Sequence, residues 1–425
     1  MRPLIIVYDE GAAQPGDIAV GLAESVPCLY AVASTDHART MAPLLAQFGP
    51  VVQVDDADRA TESLAQHRPG GIVTFSERAL PLTAALAARL GLPYHDLATV
   101  ERLTDKWAQR AAFRAAGIDS VRAKRVSRAD EWAEAVAAVG LPAVLKPANG
   151  GASRNTFLVQ DADAGEALVR SLLSQEAAGY VTGGALVLEE YLGGRASEPF
   201  GDYVSVENVV CNGTIIDVAV TGKLPMIPPF RETGRFWPAP LDPPELAEIQ
   251  QLARRAVAAT GVISGITHTE IKLTPRGLRL IEVNGRLGGG INELARRAIG
   301  VDLIEIAGRV ALGQDIGPLP ELPRAVHFQR FHPAPRRPCR LLRTSGEAEV
   351  RRLPGVALCR PYERPGARLP GGVHTHELGI VIGRAADHDR LAALVEQIVS
   401  TLRFDFAFDH VPGVCSVTAA ELARL

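Results

Sequence analysis

The chain has 425 residues, 47% of them hydrophobic and 22% charged, with a formal net charge of −3. Such a composition indicates a folded protein of two to three domains and excludes a disordered chain. The weak negative charge offers no basic field for nucleic acid, and no apolar run is long enough to cross a bilayer, so neither a nucleic-acid nor a membrane partner is expected.

The first hundred residues alternate strand-like and helix-like segments. Strands are predicted at residues 4–8, 28–33, 51–54 and 71–75, with helices between and after them, including residues 80–90. This alternation predicts a parallel, doubly wound sheet, whose ligands bind at the carboxyl ends of the strands. Glu77 follows the fourth strand and is a candidate substrate contact, the alternative being an acid at a helix N-terminus. No GxGxxG motif follows the first strand, so no dinucleotide site is expected, and a strand in place of a signal peptide predicts a cytoplasmic location.

A second unit begins with a helix that Thr104 or Asp105 can cap. The buried strand predicted next, at residues 141–147, carries Lys146, and a lysine in such a strand needs an anionic partner. The small residues of the loop 149–154 let backbone N–H groups converge on a phosphate, although an ordinary hairpin loop has the same composition. The lysine beside the loop favours the phosphate site.

The middle of the chain is rich in predicted strands, at residues 185–192, 203–210 and 214–221. A proline-rich loop follows at residues 224–244, and its length is more typical of a functional lid than of a simple connection. A helix predicted at residues 245–259 leads to the next pair of strands.

Residues 267–290 alternate polar and apolar side chains on both sides of a turn, which predicts a β-hairpin. Pro275 and Gly277 suit a three-residue loop, and in that register Thr274 pairs with Leu278. Apolar side chains are expected on one face of the hairpin: Ile271, Ile281 and Val283.

The other face of the hairpin carries polar side chains. Counting outward from the turn places Glu270 directly across from Glu282, and His268 across from Asn284. Opposed carboxylates destabilise a strand pair unless a cation lies between them, and carboxylate and amide oxygens are the ligands that Mg²⁺ prefers. The alternative is a half-exposed hairpin whose glutamates are solvated.

The C-terminal region is predicted to contain strands at residues 325–331, 355–358 and 378–383 and a helix at residues 388–402. His374 and His376 could share a strand face, but without a third ligand nearby a solvated or core pair is favoured over a metal site. The short basic run 336–343 is expected to be solvated. Five widely spaced cysteines lack CxxC spacing, which indicates free thiols.

Five motifs in this order resemble those of the ATP-grasp superfamily of carboxylate–amine ligases. They are Asp105-Lys106, the strand 144–147, the loop 149–154, the hinge 187–192, and Glu270 followed by Glu282-Val283-Asn284-Gly285-Arg286. Each motif is weak alone, but their common order is specific. The resemblance spans residues 70–312 and implies an α/β and α+β protein: an N-terminal doubly wound parallel sheet domain, then a two-lobed ATP-grasp fold with an added strand-rich C-terminal region.

The resemblance also implies ATP and Mg²⁺ as cofactors, with two metal ions and with Mn²⁺ as the alternative metal. The implied nucleotide contacts are Lys106, Lys146, Gly150, Gly151 and Ser153 at the phosphates and Glu189, Glu190, Tyr191 and Leu192 at adenine, largely through backbone. The ribose contact is Asp202, with Glu207 and Glu198 as alternatives. The implied metal ligands are Glu270, Glu282 and Asn284.

Arg286 would face the acyl phosphate, with Lys272 and His268 as further catalytic candidates. The implied substrate contacts are Glu77, Arg286 and Gly289. Residues 230–234 and 282–289 look most like the dipeptide-forming L-amino acid ligases. An ATP-dependent ligase that joins an amino acid or other carboxylate to an amine is therefore expected, and a homodimer is allowed for.

The resemblance implies four domains, at residues 1–100, 101–188, 189–322 and 323–425. The alternatives are a carboxylase or purine-pathway ligase of the same fold and a nucleotide-binding protein without activity. The second of these conflicts with the intact metal and arginine motifs.

Overall fold

The computed structural model describes residues 2–22, 25–151, 153–174, 184–372, 376–409 and 411–425. His374, which was expected to share a strand face with His376, lies outside these ranges. His376 contacts Glu363 at 2.8 Å. No helix within the described ranges is both long enough and apolar enough to traverse a bilayer.

The N-terminal segment forms the predicted parallel sheet. Its strands are β1 (Leu4–Tyr8), β2 (Cys28–Ala33), β3 (Val51–Val54) and β4 (Gly71–Val73), in the order β3-β2-β1-β4. Its helices are α1 (Pro15–Leu22), α2 (Asp36–Leu45), α3 (Ala57–Gln66) and α4 (Leu80–Leu90). The strands are apolar because helices cover both faces of the sheet, and Thr35 and Asp56 cap α2 and α3.

A smaller antiparallel sheet follows. Its strands are β5 (Ala123–Val126), β6 (Ala143–Pro147), β7 (Phe157–Val159) and β8 (Leu186–Glu190), in the order β5-β8-β6-β7. The helices of this segment are α5 (Leu97–Thr104), α6 (Lys106–Ala115), α7 (Trp132–Val139) and α8 (Ala162–Ser174). Asp105 caps α6 by accepting hydrogen bonds from the N–H groups of Trp107 and Ala108, which orients the helix start and therefore Lys106.

The largest sheet has eight strands in the order β13-β12-β9-β10-β11-β14-β18-β16. They are β9 (Tyr203–Cys211), β10 (Thr214–Lys223), β11 (Gly234–Trp237), β12 (Gly265–Thr274), β13 (Gly277–Asn284), β14 (Val326–Pro333), β16 (Val356–Pro361) and β18 (Glu377–Ala385). Helices α9 (Pro243–Thr260), α10 (Ile291–Ile299) and α11 (Leu303–Ala311) accompany it. Three C-terminal strands thus extend the sheet that carries the hairpin.

The remaining C-terminal strands are β15 (Cys339–Ser345), β17 (Arg368–Leu369), β19 (Arg403–Phe408) and β20 (Val411–Thr418), which form a sheet of order β17-β15-β19-β20. The helices of this region are α12 (Glu347–Val350), α13 (His388–Thr401) and a 3-10 helix (Glu421–Arg424). The sequence analysis predicted α13 but not this sheet. The cysteines are free, as expected.

The two faces of the eight-stranded sheet differ. Apolar side chains on one face pack with α6 and α9, among them Val204, Val206, Ile271 and Leu273. Part of the opposite face is covered by α10 and α11, which join it to the N-terminal sheet in one core. The uncovered remainder, here called the cleft face, carries polar side chains and lies opposite the small antiparallel sheet.

The turn of the hairpin differs from the prediction by one residue. Thr274 pairs with Gly277, not with Leu278, so the loop has two residues. Gly277 adopts a φ of +95°, which closes the turn in the left-handed region. A bulge on β13 at Ile281 adds one residue and offsets the error, so the predicted pairs nearer the site are confirmed.

Candidate active site

A cleft runs between the small sheet and the cleft face. Its lining brings together, from segments far apart in sequence, Lys106, Lys146, Gly150, Gly151, Ser153, Glu189, Glu190, Tyr191, Leu192, Glu270, Lys272 and Glu282. All twelve residues were predicted nucleotide, metal or catalytic positions. The lining also contains two residues for which no role was predicted, Arg110 and Tyr203. It further contains Arg154 of the small-residue loop, Met226 and Phe230 of the proline-rich loop, and Ile281, which was expected on the apolar face of the hairpin.

The predicted metal ligands lie at the end of the cleft that the hairpin β12–β13 forms. Glu270 lies opposite Glu282 and His268 opposite Asn284, as predicted. The bulge places Ile281 in the cleft, where the sequence analysis had expected a core residue, and Leu280 takes the core position with 1% exposure.

The donors around this pair suit a hard cation. Asn284 donates to Glu282 at 3.1 Å, and the Lys106 Nζ lies 3.8 Å from the same carboxylate. Burial raises the pKa of Glu282, but Lys106 and Lys146 outweigh burial and lower it, which keeps the group ionised. Among the described residues no three His, Cys, Asp or Glu side chains are grouped as a metal site. Two carboxylates and an amide, completed by phosphate and water, match how Mg²⁺ is commonly held.

Lys146 has the anionic partner that its strand position requires. Its Nζ lies 2.8 Å from Glu189 Oε2, and the same carboxylate receives two hydrogen bonds from Arg110, at 3.0 and 3.1 Å. Burial raises the pKa of Glu189, but the two cations prevail and lower it to about 2. Arg110 also donates to Asp119 and to the carbonyls of Leu280 and Ile281, so it joins the hinge strand to the hairpin.

The predicted hinge, residues 187–192, begins within β8 and extends two residues beyond its end. The N–H of Glu190 donates to the Arg122 carbonyl at 2.9 Å, and the N–H of Tyr191 donates to the Pro142 carbonyl at 3.2 Å. Both N–H groups are therefore engaged within the small sheet. In the described part of the chain the N–H of Leu192 has no backbone partner, which makes it the hinge donor available to a ligand.

The glycine-rich loop lies between the two halves of the cleft. Gly150 has a φ of +113°, and its carbonyl accepts a hydrogen bond from Lys106. A Cβ on Gly151 would stand 3.2 Å from Glu77 Oε2 and 3.8 Å from Arg286. The loop therefore lies beside two predicted substrate contacts: Glu77 at the end of the N-terminal sheet and Arg286 just after the hairpin.

Arg286 and Glu77 meet at this point. Arg286 Nη2 donates to Glu77 at 3.2 Å and to Asn284 Oδ1 at 3.1 Å. Glu77 belongs to the loop after β4, which is held against the loop after β1 because Ser76 Oγ donates to the Glu10 carbonyl at 2.6 Å. Arg286 is therefore paired with Glu77 of the N-terminal sheet domain and not with the acids of the neighbouring helices, Glu293 and Asp302.

His268 lies between two carboxylates. Its Nδ1 is 2.8 Å from Glu207, and its Nε2 is 3.3 Å from Glu270. Burial lowers the pKa of His268, but Glu207 outweighs burial and raises it. Glu207 is fully buried beneath the histidine, so it is not available to a ribose. Asp202, the preferred ribose candidate, pairs with Lys272 at 2.6 Å beside the cleft.

A second charged cluster continues along the cleft face. Glu232 accepts hydrogen bonds from Lys223 at 2.7 Å and from Arg235 at 2.9 Å, and Lys223 is fully buried. Burial raises the pKa of Glu232, but the two cations, Lys223 and Arg235, lower it by more than burial raises it. The carboxylate therefore stays ionised. Arg235 also donates to the carbonyl of Gly289, a predicted substrate contact. In the sequence, this cluster is indicated by the segment 230–234, but no role was predicted for the charged residues of that segment.

Glu377 reaches the same face through a second bulge. On β14 and β18, Phe331 pairs with Ile380 and Pro333 with Glu377, so β18 carries one extra residue between the pairs. Directly opposed residues share a face, and Glu377 therefore faces the side of Phe331 and Arg235. Burial raises the pKa of Glu377 to about 7; Arg235 opposes the change and Glu232 adds to it.

Comparison with known proteins identifies the family. Residues 105–319 match the family model described as carbamoyl-phosphate synthase L chain, ATP binding domain. The chain belongs to this family. The match begins at the cap of α6 and ends beyond α11, so it covers the small sheet and the strands β9 to β13 of the large sheet, whereas β14, β16 and β18 lie beyond it.

Relatives and solved structures agree with this assignment. Alanine–anticapsin ligase of Bacillus subtilis is 31% identical over 249 residues, which are 55% of this chain and 52% of that protein. Mouse carnosine synthase 1 is 28% identical over 325 residues, 69% of this chain and 38% of that protein. The chain thus spans about half or less of the length of these relatives. The crystal structure of an L-amino acid ligase from Bacillus licheniformis superposes with a TM-score of 0.78 at 20% identity, covering 96% of this chain and 99% of that one. The predicted ATP-grasp fold is confirmed.

Proposed function

We propose that the protein is an ATP-dependent carboxylate–amine ligase that forms the amide bond of a dipeptide through an acyl phosphate. The observation that carries the proposal is the joint between Glu77, Arg286 and Asn284, at 3.2 and 3.1 Å, where the N-terminal sheet, the glycine loop and the metal hairpin meet. A group bound there lies next to both the phosphate and the metal positions. The relatives named alanine–anticapsin ligase and carnosine synthase 1 support the same reaction class.

The nucleotide would lie along the small sheet. The N–H of Leu192, which has no backbone partner among the described residues, would be the donor at the hinge. Lys106, Lys146 and the loop at Gly150, Gly151 and Ser153 would hold the phosphates. Phosphoryl transfer is catalysed mainly by positioning and charge neutralisation, for which lysines and backbone N–H groups are suited. Asp202 remains the proposed ribose contact. Its ion pair with Lys272 would open when the ribose binds.

Glu270, Glu282 and Asn284 would hold Mg²⁺, as two ions, with Mn²⁺ as a substitute. When bound there, the metal would supply positive charge that neutralises the charge of the phosphate groups. Lys106, 3.8 Å from Glu282, supplies a second positive charge at the same carboxylate.

The chemistry has two steps. A carboxylate oxygen attacks the γ-phosphorus, the bond to the ADP oxygen breaks, and an acyl phosphate forms. The amine first loses a proton from its ammonium form to solvent. Its nitrogen then attacks the acyl carbon, the C–N bond forms, the bond from the acyl carbon to the phosphate oxygen breaks, and phosphate leaves with the remaining displaced proton. Arg286 faces the carboxylate–phosphate junction in both steps, and its planar fork of donors matches phosphate oxygens.

The domain division at residues 1–100, 101–188, 189–322 and 323–425 stands as part of this proposal. The joining of β14, β16 and β18 to the large sheet supports a C-terminal region that completes the large lobe. A cytoplasmic location and a homodimer remain predictions.

ADP release across a small substrate panel tests the function. The protein is incubated with Mg-ATP and single amino acids, amino-acid pairs, bicarbonate, or a ribonucleotide amine. Release that requires an amino-acid pair supports the proposal. Release with bicarbonate or the nucleotide amine favours a carboxylase or purine-pathway ligase, and absence of release under every condition favours a binding protein.

A further inference from the structure

Strand β13 lies at one end of the eight-stranded sheet and, among the described residues, has β12 as its strand neighbour. An edge strand turns the backbone N–H and carbonyl of every second residue away from the sheet, and buried groups of this kind need other partners. Val283, with 1% exposure, is such a residue. It stands between Glu282 and Asn284, two of the proposed metal ligands.

The side chain of Gln109 supplies both partners that Val283 needs. Its Oε1 accepts a hydrogen bond from the N–H of Val283, and its Nε2 donates to the carbonyl of the same residue, each at 2.8 Å. Nε2 also donates to the carbonyl of Arg102 at 2.9 Å. Gln109 is 4% exposed, and these bonds engage the oxygen and both hydrogens of its amide. The side chain therefore takes the place of a neighbouring strand at Val283.

The two bonds to Val283 restrain the backbone on both sides of that residue. The N–H belongs to the peptide unit that joins Glu282 to Val283, and the carbonyl belongs to the unit that joins Val283 to Asn284. Each unit is planar, so fixing its orientation also fixes the Cα atom at its outer end. Gln109 thus positions the backbone from which Glu282 and Asn284 project, although it does not itself line the cleft.

The helix that carries Gln109 also carries a proposed phosphate contact. Lys106 begins α6, three residues before Gln109, and its side chain lines the cleft. Arg110, the next residue of the helix, donates to the carbonyls of Leu280 and Ile281 at 2.8 and 2.9 Å, on the same edge of β13. One turn of α6 therefore sets the distance between the proposed phosphate contact and the strand that carries the proposed metal ligands.

We propose that Gln109 is a positioning residue of the metal site: its amide pairs with the edge of β13 and holds the backbone that carries Glu282 and Asn284. The inference rests on the proposed function, because it takes these two residues as metal ligands. Groups that orient metal ligands without touching the metal commonly change metal affinity by about tenfold to a hundredfold when they are replaced. An effect of this size is expected for Gln109.

Binding of Mn²⁺ in the presence of ADP, measured from the electron paramagnetic resonance signal of the free ion, tests the inference. Gln109→Met removes the hydrogen bonds at a similar side-chain volume. It should raise the Kd for Mn²⁺ by about tenfold to a hundredfold and change the Kd for adenosine by less than about twofold. The Val283 amide, followed by NMR, should exchange with deuterium faster in this variant, because its acceptor is lost.

Gln329→Met is the matched control. Gln329 is a buried glutamine of the same sheet, 1% exposed, whose Nε2 donates to the carbonyl of Gly290 at 2.8 Å. Four strands separate β14, on which it lies, from β13. The control loses a buried amide at a distance from Val283, so it should lower the Tm and leave the Kd for Mn²⁺ within about twofold of wild type.

A measurement on the wild-type protein keeps the inference testable if Gln109→Met does not fold. Coupling between the bonds of Gln109 and the metal site is reciprocal, so a metal that binds more tightly when the bonds are present also stabilises them. Addition of Mg²⁺ to the ADP complex should therefore slow deuterium exchange at the Val283 amide by about tenfold or more.

Three results would overturn the inference. One is an unchanged Mn²⁺ affinity in Gln109→Met although exchange at Val283 has become faster. Another is an equal loss of Mn²⁺ affinity in Gln109→Met and Gln329→Met, which would show general destabilisation. The third is exchange at Val283 in the wild-type protein that does not respond to Mg²⁺. All three leave the proposed function intact when the wild-type protein binds Mn²⁺ with ADP, whereas failure of that binding contradicts the proposed metal site itself.

Discussion

Glu270 and Glu282 lie directly opposite each other on β12 and β13, on the cleft face, and the bulge at Ile281 produces this alignment. Lys106 is 3.8 Å from Glu282 and His268 is 3.3 Å from Glu270, so each carboxylate has a different cationic or protonatable neighbour. Opposed carboxylates repel unless a cation joins them. The observed register therefore brings together the two carboxylates that the proposed metal site requires, and substitution of either one tests that proposal.

Replacing either carboxylate by its amide removes a metal ligand without changing shape. Glu270→Gln and Glu282→Gln should each abolish turnover while the fold is retained, as measured by ADP release and circular dichroism. Mg²⁺ should raise the Tm of the wild-type protein, because it binds only the folded state, and should raise that of the variants less. Glu248→Gln, an exposed residue of α9, serves as control. Near-native turnover in both variants would refute the metal assignment.

Lys146→Met should weaken ATP binding more than it destabilises the protein. Glu189 keeps Arg110 as a partner, at 3.0 and 3.1 Å, so the buried carboxylate is not left alone. Loss of a charge-assisted phosphate contact costs about 1.5–3 kcal/mol, or about tenfold to a hundredfold in Kd. Calorimetry compares this variant with Lys124→Met, whose lysine pairs with Glu134 on the surface of the same lobe. Equal ATP affinity in the two variants would move the phosphate site elsewhere.

Arg286→Lys conserves charge but removes the planar fork that contacts Glu77 and Asn284. If Arg286 faces the transferring phosphoryl group, the contact strengthens in the transition state, so kcat should fall by about a hundredfold or more while ATP affinity changes little. Steady-state kinetics and calorimetry on the same preparation separate the two effects.

Two outcomes contradict the role of Arg286. One is a normal kcat in Arg286→Lys, and the other is a defect confined to ATP binding. Arg297→Lys is a suitable control, because Arg297 pairs with Glu293 on the surface of α10 at 2.7 Å.

Glu377→Gln should alter the pH dependence of stability. Burial raises the pKa of Glu377 from 4.5 to about 7, so the folded state binds the proton more tightly than the unfolded state between these values. Wild-type stability therefore falls as the pH rises through this window. The amide has no proton to lose. The free energy of unfolding of the variant relative to wild type should therefore increase by on the order of 1–3 kcal/mol from pH 4.5 to pH 7 and then level off, as measured by denaturant unfolding at each pH. Parallel curves, like those expected for the exposed Glu349→Gln, would contradict the burial of Glu377.

Local patterns predicted the elements of the site well. Alternation placed Glu270 opposite Glu282, and the lysine in an apolar strand pointed to an anionic partner, which is Glu189. The turn was predicted one residue too long because Pro275 and Gly277 fit more than one loop, and the compensating bulge at Ile281 has no local signal.

Contacts between distant segments could not be predicted in the same way. Gln109 bonds to both the N–H and the carbonyl of Val283, and Arg110 bonds to Glu189 and to the hairpin, although helical periodicity alone makes both of them ordinary residues of α6. Glu377 enters the cleft face only through a bulge in a strand nearly a hundred residues beyond the hairpin. Such positions depend on tertiary packing, which propensity and spacing do not encode.

Oxygen-18 transfer from the carboxylate substrate to phosphate tests the central claim most directly. The carboxylate that supports ADP release is labelled in both oxygens, the amine and Mg-ATP are added, and the products are analysed by mass spectrometry. Formation of an acyl phosphate predicts one labelled oxygen in inorganic phosphate for each amide formed, with ADP as the nucleotide product. Label in AMP, or amide formation with unlabelled phosphate, would contradict the account.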